Sequence, residues 1–334
     1  MTGRHDEFGW GIAATGSMAR TIGAIIGGEP GMRVAAVGSR DPRRARELAD
    51  QVGASQAYGS YAELVRDPGV DAVYIATPPA QHRSVAELAF AAGKAVLCEK
   101  PLAATLADAT AMVKQAQTAG VFFMEAMWMR FNPVIRRVQE TVARGDIGDV
   151  RSITASFGFP QPFDPAHRHW DPAQGGGALL DRGIYPVALA YLLLGEPETV
   201  HVTGALAETG VDSEVALMMT WPGGVRALLE TSLVSSLPTS ASVSGTLGRI
   251  DIDPPFHATS HMTVRRHPDV EEFRIESPKE ALLGELRETR DCVRQGRTES
   301  TVMPLDATVA VLRLLEDARE ALGAVTFPTD AAAR

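Results

Sequence analysis

A chain of 334 residues is long for one domain, and its 45% hydrophobic and 22% charged content is that of a globular protein with a sizeable core. A net charge of −9 argues against a nucleic-acid partner, which needs a basic excess, but not against one bound dinucleotide. Two cysteines, Cys98 and Cys292, make neither a disulfide framework nor a zinc site, so no metal is expected. The first residues lack the apolar run of a signal peptide, and no stretch approaches the roughly 18 apolar residues of a membrane span. The expectation is a soluble cytoplasmic protein with no membrane partner.

The stretch Phe8–Ala14 reads as a first strand and runs into a tight turn and a helical pattern carrying Ile22, Ile25 and Ile26. This is the setting of the dinucleotide fingerprint G-x-G-x-x-G/A, here Ala14 to Ala19 with the first glycine replaced by Ala14. Gly16 lets the backbone approach a pyrophosphate, and the helix N-terminus offers free N–H groups. Thr15, Gly16, Ser17 and Met18 are therefore cofactor candidates. A second strand, Met32–Val37, ends in Gly38 and Ser39 where an NAD-selective site places an acid. Arg40, Arg43 and Arg44 follow, and a hydroxyl with arginines suits a 2′-phosphate, so NADP is favoured over NAD through Ser39, Arg40 and Arg44. At least one of Arg43 and Arg44 is expected on the solvated face of the helix Pro42–Val52, with Asp41 as its N-cap.

A helical turn at Ala62–Val65 and a strand at Ala72–Ala76 come next. Thr77 and Pro78 open a rigid loop at the carboxyl end of that strand, the edge where open α/β sheets bind ligands. His82 has two readings there, a contact to the cofactor ribose or a place in the first helical turn. The strand Ala95–Glu99 then ends abruptly in Glu99, Lys100 and Pro101. The chain has four lysines among 32 Lys plus Arg, so a lysine at this place needs a reason. Lysine presents a proton to a reacting oxygen where arginine stays charged; the plainer reading is an ion pair at a strand end. A helix Leu106–Ala119 and the apolar stretch Val121–Glu125 complete an alternation of strand and helix that predicts a parallel sheet covered on both faces.

After residue 126 the pattern changes. A helix Val134–Arg144 is followed by strands at Arg151–Phe159, Thr199–Ala207, Glu214–Trp221, Val225–Val234, Ala241–Leu247, His261–Arg266 and Glu271–Ile275. Many alternate apolar with polar residues, as antiparallel strands with one solvated face do, and such a sheet faces water or a second copy of itself. Helices at Glu280–Gln295 and Leu305–Leu322 close the chain, with a frayed tail expected over 329–334. The division is a nucleotide-binding domain over 1–126 and a substrate domain over 127–330. Between the strands, Gly175–Pro186 leads into an apolar helix at Val187–Leu194. Asp181 and Tyr185 are four apart and share a helical face, and a phenol beside a carboxylate and an ammonium shuttles a proton to and from a hydroxyl. Lys100 would polarise that oxygen and bias Tyr185 towards giving up its proton. A packed tyrosine with Asp181 as N-cap is the structural alternative.

These motifs together resemble the Gfo/Idh/MocA oxidoreductases: the fingerprint from Gly11 to Ala19, Thr77-Pro78 with His82, Glu99-Lys100-Pro101, and the glycine-rich block ending at Tyr185. Met124–Phe131 and the Asp-x-x-x-Tyr spacing look most like the dimeric dihydrodiol dehydrogenases and the NADP-dependent D-xylose dehydrogenases within that family. The resemblance implies an α/β chain: a doubly wound Rossmann domain, then an α+β domain on a large, open, mostly antiparallel sheet. That sheet commonly joins copies, so a homodimer or homotetramer is implied. It implies hydride transfer between nicotinamide and a sugar, polyol or cyclic trans-diol carbon, with Lys100 and Tyr185 handling the proton and Asp181 orienting them. Glu99 and Lys100 join the cofactor contacts by the same resemblance, and Trp128, Arg130, His169 and Trp170 line the substrate. A glycosidase using bound NAD transiently and a silent dinucleotide sensor are the competing functions on this scaffold.

Overall fold

The computed structural model describes residues 7–325, so the expected frayed tail lies outside the described residues. Two compact units are present: residues 7–127 with Leu282–Thr308, and Trp128–Ala281 with residues 309–325. The chain therefore does not stay in the second unit throughout 127–330. Leu282–Thr308 is held to the first unit by the Phe123 N–H, which donates to the Thr298 carbonyl at 3.1 Å, and by Arg287, which pairs with Glu29 at 2.8 and 3.0 Å.

In the first unit, β1 (Phe8–Ala13), β2 (Met32–Gly38), β3 (Gln56–Tyr58), β4 (Ala72–Ile75), β5 (Ala95–Glu99) and β6 (Phe123–Ala126) form one parallel sheet in the order β3-β2-β1-β4-β5-β6. Strands β1, β4, β5 and β6 are buried along their whole length, which is why they read as unbroken apolar runs rather than alternating ones. The connecting helices are α1 (Ser17–Gly28), α2 (Pro42–Val52), α3 (Tyr61–Leu64), α4 (Pro79–Ala91) and α5 (Leu106–Ala119). Asp41 caps α2 as expected, its Oδ1 accepting the N–H groups of Arg43 and Arg44 at 2.9 and 3.4 Å. The three-residue β3 was too short to carry a period and is absent from the sequence reading.

Two features of this unit are strained. Ala14, at the first-glycine position of the fingerprint, has φ of 112°, a left-handed backbone that favours glycine. Its N–H is tied to the Gly38 carbonyl at 3.0 Å, so the turn holds its shape although the residue has a Cβ. The second is a buried carboxyl. Glu285, on α8 (Lys279–Arg294), is 0% exposed, and neither of its carboxyl oxygens has a hydrogen-bond partner among the described residues. Burial, and then the nearby Glu99, push its pKa well above the ordinary carboxylate range. Glu99 instead accepts from the Tyr74 hydroxyl and from the Lys100 N–H, so of the two carboxyls it is the one built to carry charge.

The second unit opens with α6 (Pro133–Ala143) and contains one eight-stranded sheet. Its strands are β7 (Val150–Gly158), β8 (Thr199–Leu206), β9 (Asp212–Trp221), β10 (Val225–Ser232), β11 (Ala241–Gly245), β12 (Arg249–Ile252), β13 (His261–Arg266) and β14 (Asp269–Arg274). The order is β14-β13-β12-β11-β7-β10-β9-β8, antiparallel except for the central β7–β10 pair. The expected strands are all present, with β12 in addition, whose four residues give too little alternation to be read. Val215, Leu217, Met219 and Trp221 of β9 and Ala227 and Leu229 of β10 point inward, where α7 (Ile184–Leu194) packs. The outer face carries Thr154, Ser156, Met218, Leu228 and Glu230 around a concavity of about 570 Å³. The final helix is α9 (Leu305–Leu322). One correction concerns hydropathy: Pro172–Leu194, 23 residues, is long and apolar enough to cross a membrane by composition. It is 72% buried within the protein over its most apolar window and includes the core helix α7.

Two outcomes follow for stability. Ala14→Gly removes the left-handed alanine at a cost of extra freedom in the unfolded chain, and a net gain of about 0.5–1 kcal/mol is expected in urea unfolding; a loss would show that the turn carries no strain. For Glu285 the raised folded-state pKa means that the native state keeps a proton that the unfolded chain releases above the ordinary value of 4.5. Stability therefore falls as pH rises from there. Glu285→Gln cannot ionise, so its unfolding midpoint relative to the parent is expected to shift in the variant's favour as pH climbs from 4.5 to neutrality. A gap independent of pH would mean that Glu285 is not protonated in the native protein.

Candidate active site

The candidate cofactor residues of the first unit sit at the carboxyl ends of the parallel strands, around the β1/β4 switch point where ligands bind in such sheets. Gly16 is the N-cap of α1, with no side chain capping the helix. A Cβ built there meets nothing within 4 Å, so packing does not demand glycine; the space and the unfilled N–H groups of Ser17 and Met18 fit a phosphate. Thr15 is buried beneath this turn. At the end of β2 the Ser39 N–H donates to the Tyr58 carbonyl, and its Oγ accepts the Asp41 N–H at 3.2 Å. Arg40 and Arg44 are exposed and make no ion pair among the described residues, whereas Arg43 lies 3.9 Å from Asp41 with its side chain 90% exposed, on the solvated face. The residues present fit the phosphates of a bound dinucleotide.

Of the two readings for His82, the ribose contact is overturned. Its ring is 0% exposed, with Nε2 2.8 Å from the Thr77 carbonyl and Nδ1 3.1 Å from those of Pro101 and Leu102. Burial holds its pKa below the ordinary imidazole value, so the ring is neutral and donates from one nitrogen only. His82 thus packs between the Thr77-Pro78 loop and the segment behind Lys100 and donates a hydrogen bond to one of them. That segment is also held by the buried Glu125, whose Oε1 accepts the Leu102 N–H at 2.9 Å. Lys100 itself is half-buried, and its backbone is fixed by three buried polar side chains, Glu99, Glu125 and His82.

In the second unit Tyr185 is the centre of an aromatic group. Trp128, in the short turn Trp128–Phe131, donates its Nε1–H to the Tyr185 hydroxyl oxygen at 2.9 Å, the rings meeting edge to face at 6.2 Å. Phe157 of β7 lies 5.7 Å from the phenol ring and His257 4.6 Å. Asp181 lies in a wide π-type turn, Leu179–Gly183, that leads directly into α7. Arg168 Nη1 approaches its Oδ1 at 3.3 Å, and His169 Nε2 lies 3.2 Å from its Oδ2, off the line of a good hydrogen bond. Arg182, buried, stands 3.7 Å away and is itself clamped between the Phe159 ring and the Ser232 carbonyl.

The structure thus brings Trp128 to Tyr185 and His169 to Asp181. Arg130 is buried in the turn beside Trp128. Trp170 requires correction as a substrate contact: it is 1% exposed, packed with Ala178, Val211 and Leu233, and donates to the Pro162 carbonyl. An aromatic ring of that size completes a core, here the one under the loop before Asp181. Asp181 is not the helix cap. That role belongs to Asp212 of β9, fully buried, whose Oδ2 accepts the Leu179 N–H at 2.6 Å. Phe157, His257, Asp212 and Arg182 were missed because they come from separated strands and loops with no local motif; only Arg182, adjacent to Asp181, carried a usable signal. No group of three or more His, Cys, Asp or Glu side chains suited to a metal occurs among the described residues.

Comparison with known proteins bears on the family and the fold. Residues 8–127 match the family model described as an oxidoreductase family with an NAD-binding Rossmann fold, and residues 135–251 match the GFO/IDH/MocA C-terminal domain. The chain is 39% identical over 337 residues to the trans-1,2-dihydrobenzene-1,2-diol dehydrogenase of Mus musculus, covering 96% of this chain and 98% of that one. Against the Homo sapiens protein of the same name it is 38% identical over 333 residues with the same coverage. Among solved structures, an aldose-aldose oxidoreductase from Caulobacter crescentus complexed with glycerol superposes with a TM-score of 0.85 at 27% identity, over 94% of this chain and 98% of that one. A 3-ketoreductase from Actinomadura kijaniata in complex with NADP and TDP-benzene gives 0.83 at 26% identity, over 96% and 100%. The chain belongs to the Gfo/Idh/MocA family and is an oxidoreductase with an NAD(P)-binding Rossmann domain.

Proposed function

We propose that the protein is an NADP-dependent dehydrogenase or reductase acting at a hydroxyl-bearing carbon of a cyclic trans-diol, sugar or polyol. The observation that carries this reading is the Trp128 N–H donated to the Tyr185 hydroxyl oxygen in an aromatic, largely dry setting. A donor placed on that oxygen stabilises the phenolate more than the phenol, which is what a proton acceptor requires. NADP, when bound, supplies the hydride acceptor or donor. Lys100 polarises the substrate oxygen, and Tyr185 takes the hydroxyl proton on oxidation and returns it on reduction. Asp181, held by His169 and Arg168, orients the segment that carries Tyr185. Trp128, Arg130 and His169 line the substrate side. Ser39, Arg40 and Arg44 hold the 2′-phosphate, and the names of the relatives supply the diol and sugar classes.

We also infer assembly into a homodimer or homotetramer through the outer face of the eight-stranded sheet. Met218 and Leu228 are 39% and 45% exposed there, beside the concavity, which is more apolar side chain than a solvated strand face needs.

The first test follows reduced nicotinamide by absorbance with NADP⁺ or NAD⁺ and a panel of trans-dihydrodiols, aldoses and inositols. Turnover is expected with NADP⁺, and Lys100→Met and Tyr185→Phe are each expected to lower kcat by about 10²–10⁴-fold. An Arg40→Ala, Arg44→Ala double variant should raise KM for NADP⁺ and leave that for NAD⁺ unchanged. Full activity in Lys100→Met would sink the mechanism, and tight NADP⁺ binding without turnover on any substrate would favour a sensor. For assembly, light scattering should give a dimer or tetramer that Leu228→Arg converts to a monomer; a monomeric parent would refute the interface.

A further inference from the structure

We propose that Arg319 is a positioning residue for the reaction at Tyr185, acting through the buried Asp212: the ionised pair holds the turn that carries Asp181 and leads to Tyr185, and protonation of the carboxyl releases it. The inference rests on the proton-handling role assigned to Tyr185. Arg319 lies on α9 and Asp212 at the start of β9, and both side chains are buried. The Arg319 Nε stands 3.5 Å from Asp212 Oδ1, an ion pair rather than a hydrogen bond. Asp212 Oδ2 accepts at 2.6 Å the N–H of Leu179, the first residue of the turn Leu179–Gly183. Arg319 is fixed from its other side as well. Its Nη2 donates to the Val325 carbonyl at 2.8 Å, and the Val325 N–H donates to the Gly210 carbonyl at 2.9 Å. The last helix is thereby tied to the loop before β9 and, through one carboxylate, to the turn.

Each carboxylate oxygen has a donor set against it, so the site is built for the ionised form. A proton on Oδ1 would place a hydroxyl against the guanidinium, in a space closed by residue 177, where a Cβ would stand 2.3 Å away. A proton on Oδ2 would place a hydroxyl against the Leu179 N–H. One contact is weakened in either case. The Leu179 N–H and Arg319 each lower the Asp212 pKa, so each binds the carboxylate more strongly than the acid. Burial outweighs them and leaves the value at about 6, close to neutrality. The sign for global stability is the opposite one: the unfolded chain releases this proton from the ordinary 3.8, so Asp212 destabilises the native state as pH rises from there to about 6. The effect on the turn is therefore local and is not acid unfolding. Arg319 is the charged side chain set against Asp212, and Glu316 on α9 acts on Arg319 in turn. Of the other charged groups on the surrounding elements, Glu214 of β9 accepts from the Ser235 hydroxyl, and His201 of β8 and Glu230 of β10 line the outer face of the sheet. Asp181 and Arg182 of the turn are directed to Arg168, His169 and the Ser232 carbonyl.

The pair is tested by kcat and KM across the acid-to-neutral range, and by hydrogen exchange of the peptide spanning residues 178–185, corrected for the intrinsic pH dependence of exchange. In the parent, kcat and the protection of that peptide should each fall roughly tenfold between about pH 7 and about pH 5, with KM nearly unchanged. Asp212→Asn is neutral at every pH, so its kcat should be low throughout, with no limb near 6. Arg319→Met removes the cation that lowers the Asp212 pKa and should move the limb up by roughly one pH unit, while Arg319→Lys should bring it back towards the parent. A limb that persists unmoved in Asp212→Asn and Arg319→Met belongs to another group and overturns the inference, as does protection that does not change with pH in the parent. Should Arg319→Met fail to fold by far-UV circular dichroism, the near-isosteric Asp212→Asn and the exchange of the parent decide. Tyr185→Phe runs alongside. If it stays fully active, the proton-handling reading falls and this inference with it; if it is inactive while the limb stays unmoved in the Asp212 and Arg319 variants, only the role of the pair is lost.

Discussion

A buried carboxylate from one strand starts the helical segment that carries Asp181 and Tyr185. The first turn of any helix leaves N–H groups without intrahelical partners, and the segment from Ala178 into α7 is too apolar to supply its own cap. Asp212 reaches across from β9 to accept the Leu179 N–H, with Arg319 of α9 3.5 Å from its other oxygen. Burying this carboxylate is unfavourable, and burial pushes its pKa up to about 6 in spite of the N–H groups and the arginine. The approach is possible because residue 177 is glycine: its φ is 122°, and a Cβ there would stand 2.3 Å from Asp212 Oδ1. The direction in which Asp181 and Tyr185 leave the backbone thus depends on an aspartate some thirty residues further along.

The first unit applies the same physics to a strand end. An isolated lysine after an apolar strand would be a mobile charge, but here the backbone on either side of it is pinned by Glu99, Glu125 and His82. Each of these is buried, and the hydrogen bonds they make are therefore expensive to lose. Glu285 is the exception that clarifies the rule. Lacking such partners, it is driven to its neutral form and leaves the negative charge on Glu99, next to the Lys100 backbone.

Around Tyr185 the organising force is aromatic rather than ionic. Trp128, Phe157 and His257 confine the phenol and exclude water from one side of it, while the indole N–H marks the oxygen. Arg168, His169 and Arg182 gather instead on Asp181. Separating an apolar ring cluster from a charged cluster within one turn of chain lets a tyrosine and a carboxylate four residues apart experience different environments, which is how neighbouring groups acquire different acid–base roles.

Sequence by itself determined what is local or periodic. Unbroken apolar runs marked the parallel strands, alternation marked the antiparallel ones, Asp41 before Pro42 marked a helix start, and Ala14 to Ala19 marked the turn from β1 into α1, because each depends on residues within a few positions of one another. Short strands such as β3 and β12 escaped because three or four residues carry no period. Tertiary structure alone decided which polar residues face a site and which are buried supports. His82 and Trp170 share the residue types of ligand contacts, yet both are enclosed; Asp212, Glu285 and His257 carry no motif, yet each acts on a named site residue. The reason is physical: burial and the partners available across strands set a side chain's charge state and orientation, and both arise only when distant segments of the chain are packed together.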